Sequence, residues 1–250
     1  MRGQLQSVLH PAGPDADIIS QFAWVMFGAG ALIFIGVMVL LAFGVRRAPS
    51  QVRPLRWIAG AGIAFPVVVL SALLAWSTYR SAQLTPQSSK ASLVISVTAK
   101  MWWWEVRYHD PVSGREIISA NEIRIPAGRT VYVALSATDV IHSLWVPALA
   151  GKRDMVPGRM TGLTLRADKP GVYRGQCAEY CGEQHARMAL HVVAMPPPAF
   201  DTWLARERMP AASPSGAFLE RGRQAFTDQR CAACHSVRGL TGNVRAGPDL

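Results

Sequence analysis

Acid is scarce in this 250-residue chain. Sixteen Asp and Glu stand against 26 Lys and Arg, a formal net charge of +10. Such a balance suits nucleic acid or an anionic membrane surface. The arginines are scattered, and no basic helix interleaved with aromatics occurs, which argues against nucleic acid as a partner. Charge of either sign is missing from Gln21 to Val45 and again from Trp57 to Tyr79. Cysteine is also sparse, with four residues in two close pairs, one Cys-x3-Cys and one Cys-x2-Cys-His. Two disulfides are the plain reading in an oxidising compartment. A histidine close to each pair favours metal and haem chemistry instead. The N-terminus, Met1-Arg2, does not open the long apolar core of a signal peptide.

What is present is apolar. Half of the residues are hydrophobic and the mean hydropathy is +0.16, high for a soluble protein. Each uncharged run exceeds the roughly 20 residues that span a bilayer. Both are apolar all round, unlike the one-sided stripe of a surface helix. Trp57, Trp76 and Tyr79 stand near the ends of the second run as interfacial anchors. Pro66 inside it is tolerable in a membrane helix. The connecting loop carries Arg46, Arg47, Arg53 and Arg56 and no acid, whereas the tail before the first run holds Asp15 and Asp17. The excess of positive charge predicts a cytoplasmic loop, with both termini on the periplasmic side of a bacterial plasma membrane.

The remainder divides by composition. Residues 1–20 read as an extracytoplasmic tail, 21–80 as two transmembrane helices, and 81–91 as a polar linker. From Ser92 the chain turns to short β-rich runs: SLVISVTA, WWWEVRYH, NEIRIPAG, RTVYVALSA, TGLTLRA, GVYRGQCA and MALHVVAM. Ile123/Ile125 and Val131/Val133/Leu135 alternate with polar residues, as in half-buried strands. Turns are expected at Pro111–Gly114, Pro126–Gly128, Pro157-Gly158 and Lys169–Gly171. This pattern predicts an all-β sandwich or barrel over 92–195. Pro196-Pro197-Pro198 reads as a stiff break. A short amphipathic helix with Phe200, Trp203 and Leu204 follows, inside a linker spanning 196–215. Residues 216–250 start with a helical pattern and contain Cys231-Ala232-Ala233-Cys234-His235, the attachment signature of a c-type haem.

The densest chemistry lies in GQCAEYCGEQHARM, residues 175–188. Cys177, Cys181, His185 and Met188 fall within twelve residues. Thiolate, imidazole and thioether together form a soft set that selects copper. A mononuclear blue-copper loop needs one cysteine, so the second is informative: two thiolates on one loop can bridge two ions. A further histidine must come from elsewhere, and His142 in TDVIHSLWVP is the candidate.

His142, Cys177-Ala178-Glu179-Tyr180-Cys181, His185 and Met188 together resemble the binuclear copper (CuA) motif of subunit II of haem–copper cytochrome c oxidases. The resemblance runs from about residue 15 to the end of the chain. It sharpens the β-domain to a cupredoxin-like Greek-key barrel after a transmembrane helical hairpin. It implies that one copper takes His142 and Met188, and the other His185 and the carbonyl of Glu179, with both cysteines bridging. The side chain of Glu179 is then expected to reach toward subunit I and help hold magnesium, which prefers several oxygens and waters. In Met101-Trp102-Trp103-Trp104, alternation puts Trp102 and Trp104 on one strand face and Trp103 on the other. The resemblance makes Trp102 the residue that receives electrons from cytochrome c. In KRDMVPGRM, residues 152–160, Asp154 and Arg159 are expected either to pair across the subunit I interface or to stay solvated.

The implied function is subunit II of a terminal oxidase. It takes electrons from cytochrome c and passes them to haem in subunit I, where oxygen is reduced to water with proton pumping. Subunit I, subunit III, cytochrome c and the lipid bilayer are the implied partners. This chain lacks the histidine-rich helices of the oxygen-reducing core. Its β-domain holds twelve Lys/Arg and nine Asp/Glu, not the acidic field that steers a strongly basic soluble donor. A tethered donor needs less steering. The signature Cys231, Cys234 and His235 fits a fused cytochrome c domain, the start of an all-α fold. Methionine does not occur after Met209. We therefore expect a longer parent chain, a poorly ordered C-terminal segment, and any haem here to lack a methionine ligand. The competing readings are a CuA component of a nitric-oxide or nitrous-oxide reductase and a membrane-tethered copper-binding protein.

Overall fold

The computed structural model describes residues 6–46, 53–84, 91, 93–109, 114, 116–209, 211–237, 241 and 246–248. Much of the arginine loop, most of the 81–91 linker and the Pro111–Ser113 turn lie outside the described residues. The chain forms two compact units, one of residues 17–85 and one of residues 1–16 with 86–250.

The first unit consists of two long apolar helices. Helix α1 spans Pro14–Arg46. It starts seven residues before the uncharged run, because Pro14 suits the first helical turn and Asp15 and Asp17 complement the N-terminal end of the helix dipole. The second span runs from Pro54 to Leu84. It comprises α2 (Pro54–Trp57), a π-helical stretch (Ile58–Ala64), α3 (Phe65–Ser81) and a closing 3₁₀ turn. Pro66 falls at the start of α3, just after the π-helical stretch, where its missing N–H costs little. Phe22 meets Trp76 edge-on at 4.7 Å between ring centroids, and Gln21 accepts a hydrogen bond from Arg80. The apolar windows of both helices are unburied within the chain, with side chains such as Phe27 and Val68 exposed, as suits lipid-facing surfaces.

The second unit is built on ten strands: β1 (Leu93–Lys100), β2 (Trp103–His109), β3 (Glu116–Ala120), β4 (Glu122–Pro126), β5 (Val131–Ala137), β6 (His142–Trp145), β7 (Arg153–Met155), β8 (Thr161–Leu165), β9 (Gly171–Cys177) and β10 (Ala189–Met195). They make two five-stranded sheets, ordered β3-β2-β1-β5-β8 and β4-β10-β9-β6-β7. The parallel pairs β1/β5 and β4/β10 cross between otherwise antiparallel neighbours. This is the cupredoxin-like sandwich. The alternating residues Ile123, Ile125, Val131, Val133 and Leu135 all point into its core, each with no exposed surface. Inward side chains of the two sheets interdigitate there, which removes apolar area worth roughly 25 cal/mol per Å² from water.

Residues 6–16 lie along this domain. The amide of Ala12 donates to the Ala148 carbonyl at 2.7 Å, and that of Asp168 donates to the Ala12 carbonyl at 2.9 Å. A side chain at Gly13 would stand 2.1 Å from the Arg166 carbonyl, so only glycine permits this approach.

Two expectations need correction here. Trp102 and Trp104 do not share a strand face. Trp102 lies in the turn before β2, Trp103 opens the strand under Lys100, and Trp104 is wholly buried in the core. The triple proline does not break the chain either. It starts α4 (Pro197–Glu207), with proline in the first turn, where an amide would have no helical partner anyway. Phe200 of α4 is buried, and Trp203 packs on Tyr108 at 5.2 Å and under Arg124 at 5.0 Å. Helix α5 (Ala217–Asp228) and a 3₁₀ turn at Cys231–Ala233 complete the described C-terminal part.

Candidate metal centre

Three adjacent strands bring the soft donors together. β9 ends at Cys177, β10 starts at Ala189, and β6, which pairs with β9 through Leu144↔Cys177, starts at His142. The loop from 178 to 188 closes over the ends of these strands. Its base is fixed by backbone bonds: Cys177 N–H to the Met188 carbonyl at 2.9 Å, and Ala178 N–H to the Ser143 carbonyl at 2.9 Å. Its tip turns at Gly182, whose φ of +111° is a conformation that other residues rarely adopt. A 3₁₀ turn, His185–Arg187, then presents the second imidazole.

The two sulfurs are 3.8 Å apart, and both cysteines are free. A disulfide needs about 2.05 Å. The Nδ1 of His142 is 3.8 Å from Cys177 Sγ, and the Nδ1 of His185 is 3.5 Å from Cys181 Sγ. Met188 Sδ is 3.8 Å from Cys181 Sγ, and the Glu179 carbonyl is 3.2 Å from Cys177 Sγ. His142 and Met188 are almost wholly buried; His185 is half-exposed. The donor atoms of His142, Cys177 and Cys181 lie within 4.8 Å of one another. Two sulfurs flanked by two ring nitrogens, a thioether and a carbonyl fit a pair of copper ions. A Cys₂His₂ zinc site uses four ligands and leaves a buried thioether at this distance unaccounted for.

Electrostatics set the two sulfurs apart. Burial alone raises the Cys177 thiol, but the His142 ring beside it and the backbone near Glu179 and Ser143 outweigh burial and hold the group below the usual thiol value. Burial and the neighbouring Cys177 thiolate push Cys181 up, so the metal-free pair carries one negative charge more readily than two.

Around the ligands, Trp102 is half-buried and its indole Nε1 donates to the Cys181 carbonyl at 3.0 Å. Met101, Val140, Ile141 and Tyr180 are exposed. Glu179 turns its carboxylate outward, where Lys152 Nζ is 3.0 Å from Glu179 Oε2 and 3.4 Å from Asp154 Oδ1. Arg159 lies with Lys152 and Asp154 along one surface cavity of about 310 Å³. Sequence reasoning missed Asp139, which binds the ring of His142 at 2.7 Å. Its position three residues before the histidine in the same turn was the only available signal.

The second cysteine pair lies apart. The amides of Cys234 and His235 both donate to the Cys231 carbonyl, at 3.1 and 2.9 Å, so CAACH forms one tight turn. His235 Nδ1 is 3.0 Å from the Pro248 carbonyl. That contact engages Nδ1 of the ring. A cavity of about 300 Å³ lined by Pro214, Leu219, Arg223, Phe226 and Val237 lies among the C-terminal segments.

Fold and site define a class: a cupredoxin-like domain with a soft-donor candidate metal centre, carried by a chain with two helices of membrane-spanning length and apolarity. The sequence profile described as cytochrome C oxidase subunit II, periplasmic domain, matches residues 112–195. Cytochrome c oxidase subunit 2 of Alkalihalophilus pseudofirmus is 30% identical over 257 residues, covering 97% of this chain and 73% of that protein. The Bacillus subtilis protein of the same name is 29% identical, covering 92% of this chain and 70% of its own length. Among solved structures, the periplasmic domain of subunit II of the Bradyrhizobium japonicum cytochrome oxidase is 29% identical, with a TM-score of 0.45, covering 49% of this chain and 97% of that one. The chain belongs to the cytochrome c oxidase subunit 2 family. It is therefore a membrane subunit of a haem–copper oxidase complex.

Proposed function

We propose that this chain takes electrons from cytochrome c at a binuclear copper (CuA) centre and passes them to the haem of subunit I, where oxygen is reduced to water. The observation that supports it most is the convergence of Cys177, Cys181, His142, His185, Met188 and the Glu179 carbonyl around two unbonded sulfurs 3.8 Å apart. Held by these residues, a copper pair would supply one-electron transfer, taking up and releasing a single electron. The chain's own residues do the rest. Strands β6, β9 and β10 fix the donors before metal arrives, and burial of His142 and Met188 keeps water from that side. Trp102, set on the copper loop, is the residue at which electrons arrive.

The positive-inside bias of Arg46, Arg53 and Arg56 supports a periplasmic β-domain. Glu179, beside Lys152 and Asp154, is the carboxylate that a shared Mg²⁺ would take at the surface facing subunit I. The domains fall at about 1–20, 21–80, 92–195 and 216–250, with linkers at 81–91 and 196–215. Cys231 and Cys234 would carry a covalent haem c with His235 as its axial ligand, a tethered donor for the copper centre. Subunit III is the further expected partner. Metal analysis of the full chain, purified in detergent and loaded with Cu²⁺ and Cu⁺, tests the reading. Two coppers per chain that a zinc excess does not displace support it; a single metal with zinc preferred sinks it.

A further inference from the structure

Asp139 sits in the turn between β5 and β6, with about a fifth of its side chain exposed. Its carboxylate serves three donors. Oδ1 lies 2.7 Å from His142 Nε2 and accepts the Val140 amide at 2.7 Å, while Oδ2 accepts the Met101 amide at 2.7 Å. The turn is itself anchored, since the Thr138 amide donates to the Ala99 carbonyl at 3.2 Å. One carboxylate therefore ties the copper-ligand histidine to the residue preceding Trp102.

Each end has a consequence. A carboxylate at Nε2 makes that nitrogen the protonated one, so the lone pair of His142 lies on Nδ1, the atom facing Cys177 Sγ. The same hydrogen bond makes the imidazole a better donor to a metal ion. At the other end, the bond to Met101 fixes the turn whose next residue lays its indole on the copper loop, through the Cys181 carbonyl at 3.0 Å.

We propose that Asp139 is a positioning residue for both halves of the electron path: it sets the tautomer of His142 and holds the turn that carries Trp102. The proposal rests on the CuA reading of the site. A carboxylate accepts at both oxygens, whereas a carboxamide accepts at one and donates at the other. Asp139→Asn therefore keeps the shape and must lose either the His142 or the Met101 contact.

The test uses the full chain in detergent, as wild type, Asp139→Asn, Trp102→Ala and the double variant. Copper affinity is measured by competition with a chelator, the copper potential by redox titration, and electron uptake from reduced cytochrome c by stopped flow. Asp139→Asn is expected to weaken copper binding roughly ten-fold or more and to raise the potential. Because the weaker imidazole stabilises oxidised copper less, both shifts should persist in the Trp102→Ala background. Its slowing of electron uptake should instead shrink once Trp102 is gone, since the two act on one path. Unchanged affinity and potential in Asp139→Asn overturn the proposal, as do rate effects that simply multiply. If the asparagine chain does not fold, Asp139→Ser gives the same comparison with a single small acceptor. Failure of the wild type to bind two coppers overturns the CuA reading instead, so the two failures are distinct.

Discussion

The indole of Trp102 is hydrogen-bonded to the backbone of a candidate copper ligand: Nε1–H donates to the Cys181 carbonyl at 3.0 Å. A route from the half-exposed ring to Cys181 Sγ thus crosses one hydrogen bond and then only covalent bonds. Trp102→Ala is expected to slow electron uptake from cytochrome c by ten-fold or more, roughly the loss of one positioned contact in a transfer path, and to leave the copper spectrum unchanged. Trp104→Ala should act differently. That ring is wholly buried, so its removal is expected to destabilise the fold by about 3–5 kcal/mol. Stopped-flow reduction and thermal melts of both variants distinguish these roles.

Gly182 lies beneath the same ring. A Cβ there would stand 3.3 Å from Trp102 Nε1 and Cζ2, at a φ of +111°. Gly182→Ala is expected to cost about 1 kcal/mol or more from backbone strain and to displace the indole, slowing electron uptake while two coppers remain bound. An unaltered rate would show that the ring does not need this seat.

The candidate copper ligands stand out in sequence because four of them fall within twelve residues of one loop, where spacing survives any detail of the fold. The membrane helices were equally plain, being set by composition. The rest depended on tertiary placement. β6 and β7 are only four and three residues long, and β6 is buried along most of its length, so neither shows alternation. Trp102 lies one residue before β2, in a turn, where strand alternation does not apply. Asp139 reads as an ordinary turn residue until β1, β2 and β6 come together.

Met188 Sδ is buried 3.8 Å from Cys181 Sγ. A thioether is a weak ligand that stabilises oxidised copper. Met188→Leu should retain both coppers and raise the reduction potential, as followed by redox titration. Loss of all metal, or an unmoved potential, argues against Met188 as a ligand.

Glu105 is a buried carboxylate held between Lys100 at 2.7 Å and Arg107 at 2.6 Å. Burial raises its pKa, but the two cations outweigh burial and the net shift is downward. A carboxyl whose folded pKa is depressed stabilises the fold above its unfolded pKa. That contribution is lost as pH falls through the folded value. Glu105→Gln should therefore lower stability at neutral pH by on the order of 1–3 kcal/mol and flatten the acid limb of the stability profile. Thermal melts from neutral pH into the acid range check this; parallel curves for the two proteins would contradict it.

Two coppers held by Cys177 and Cys181 are expected to share one electron. The most direct measurement is the EPR spectrum of the oxidised, copper-loaded chain, with Cys181→Ser alongside. A seven-line copper hyperfine pattern is expected in the wild type, from one electron on two equivalent nuclei, with its loss in the variant. A four-line pattern from a single copper in the wild type, or a seven-line pattern that survives Cys181→Ser, would contradict it.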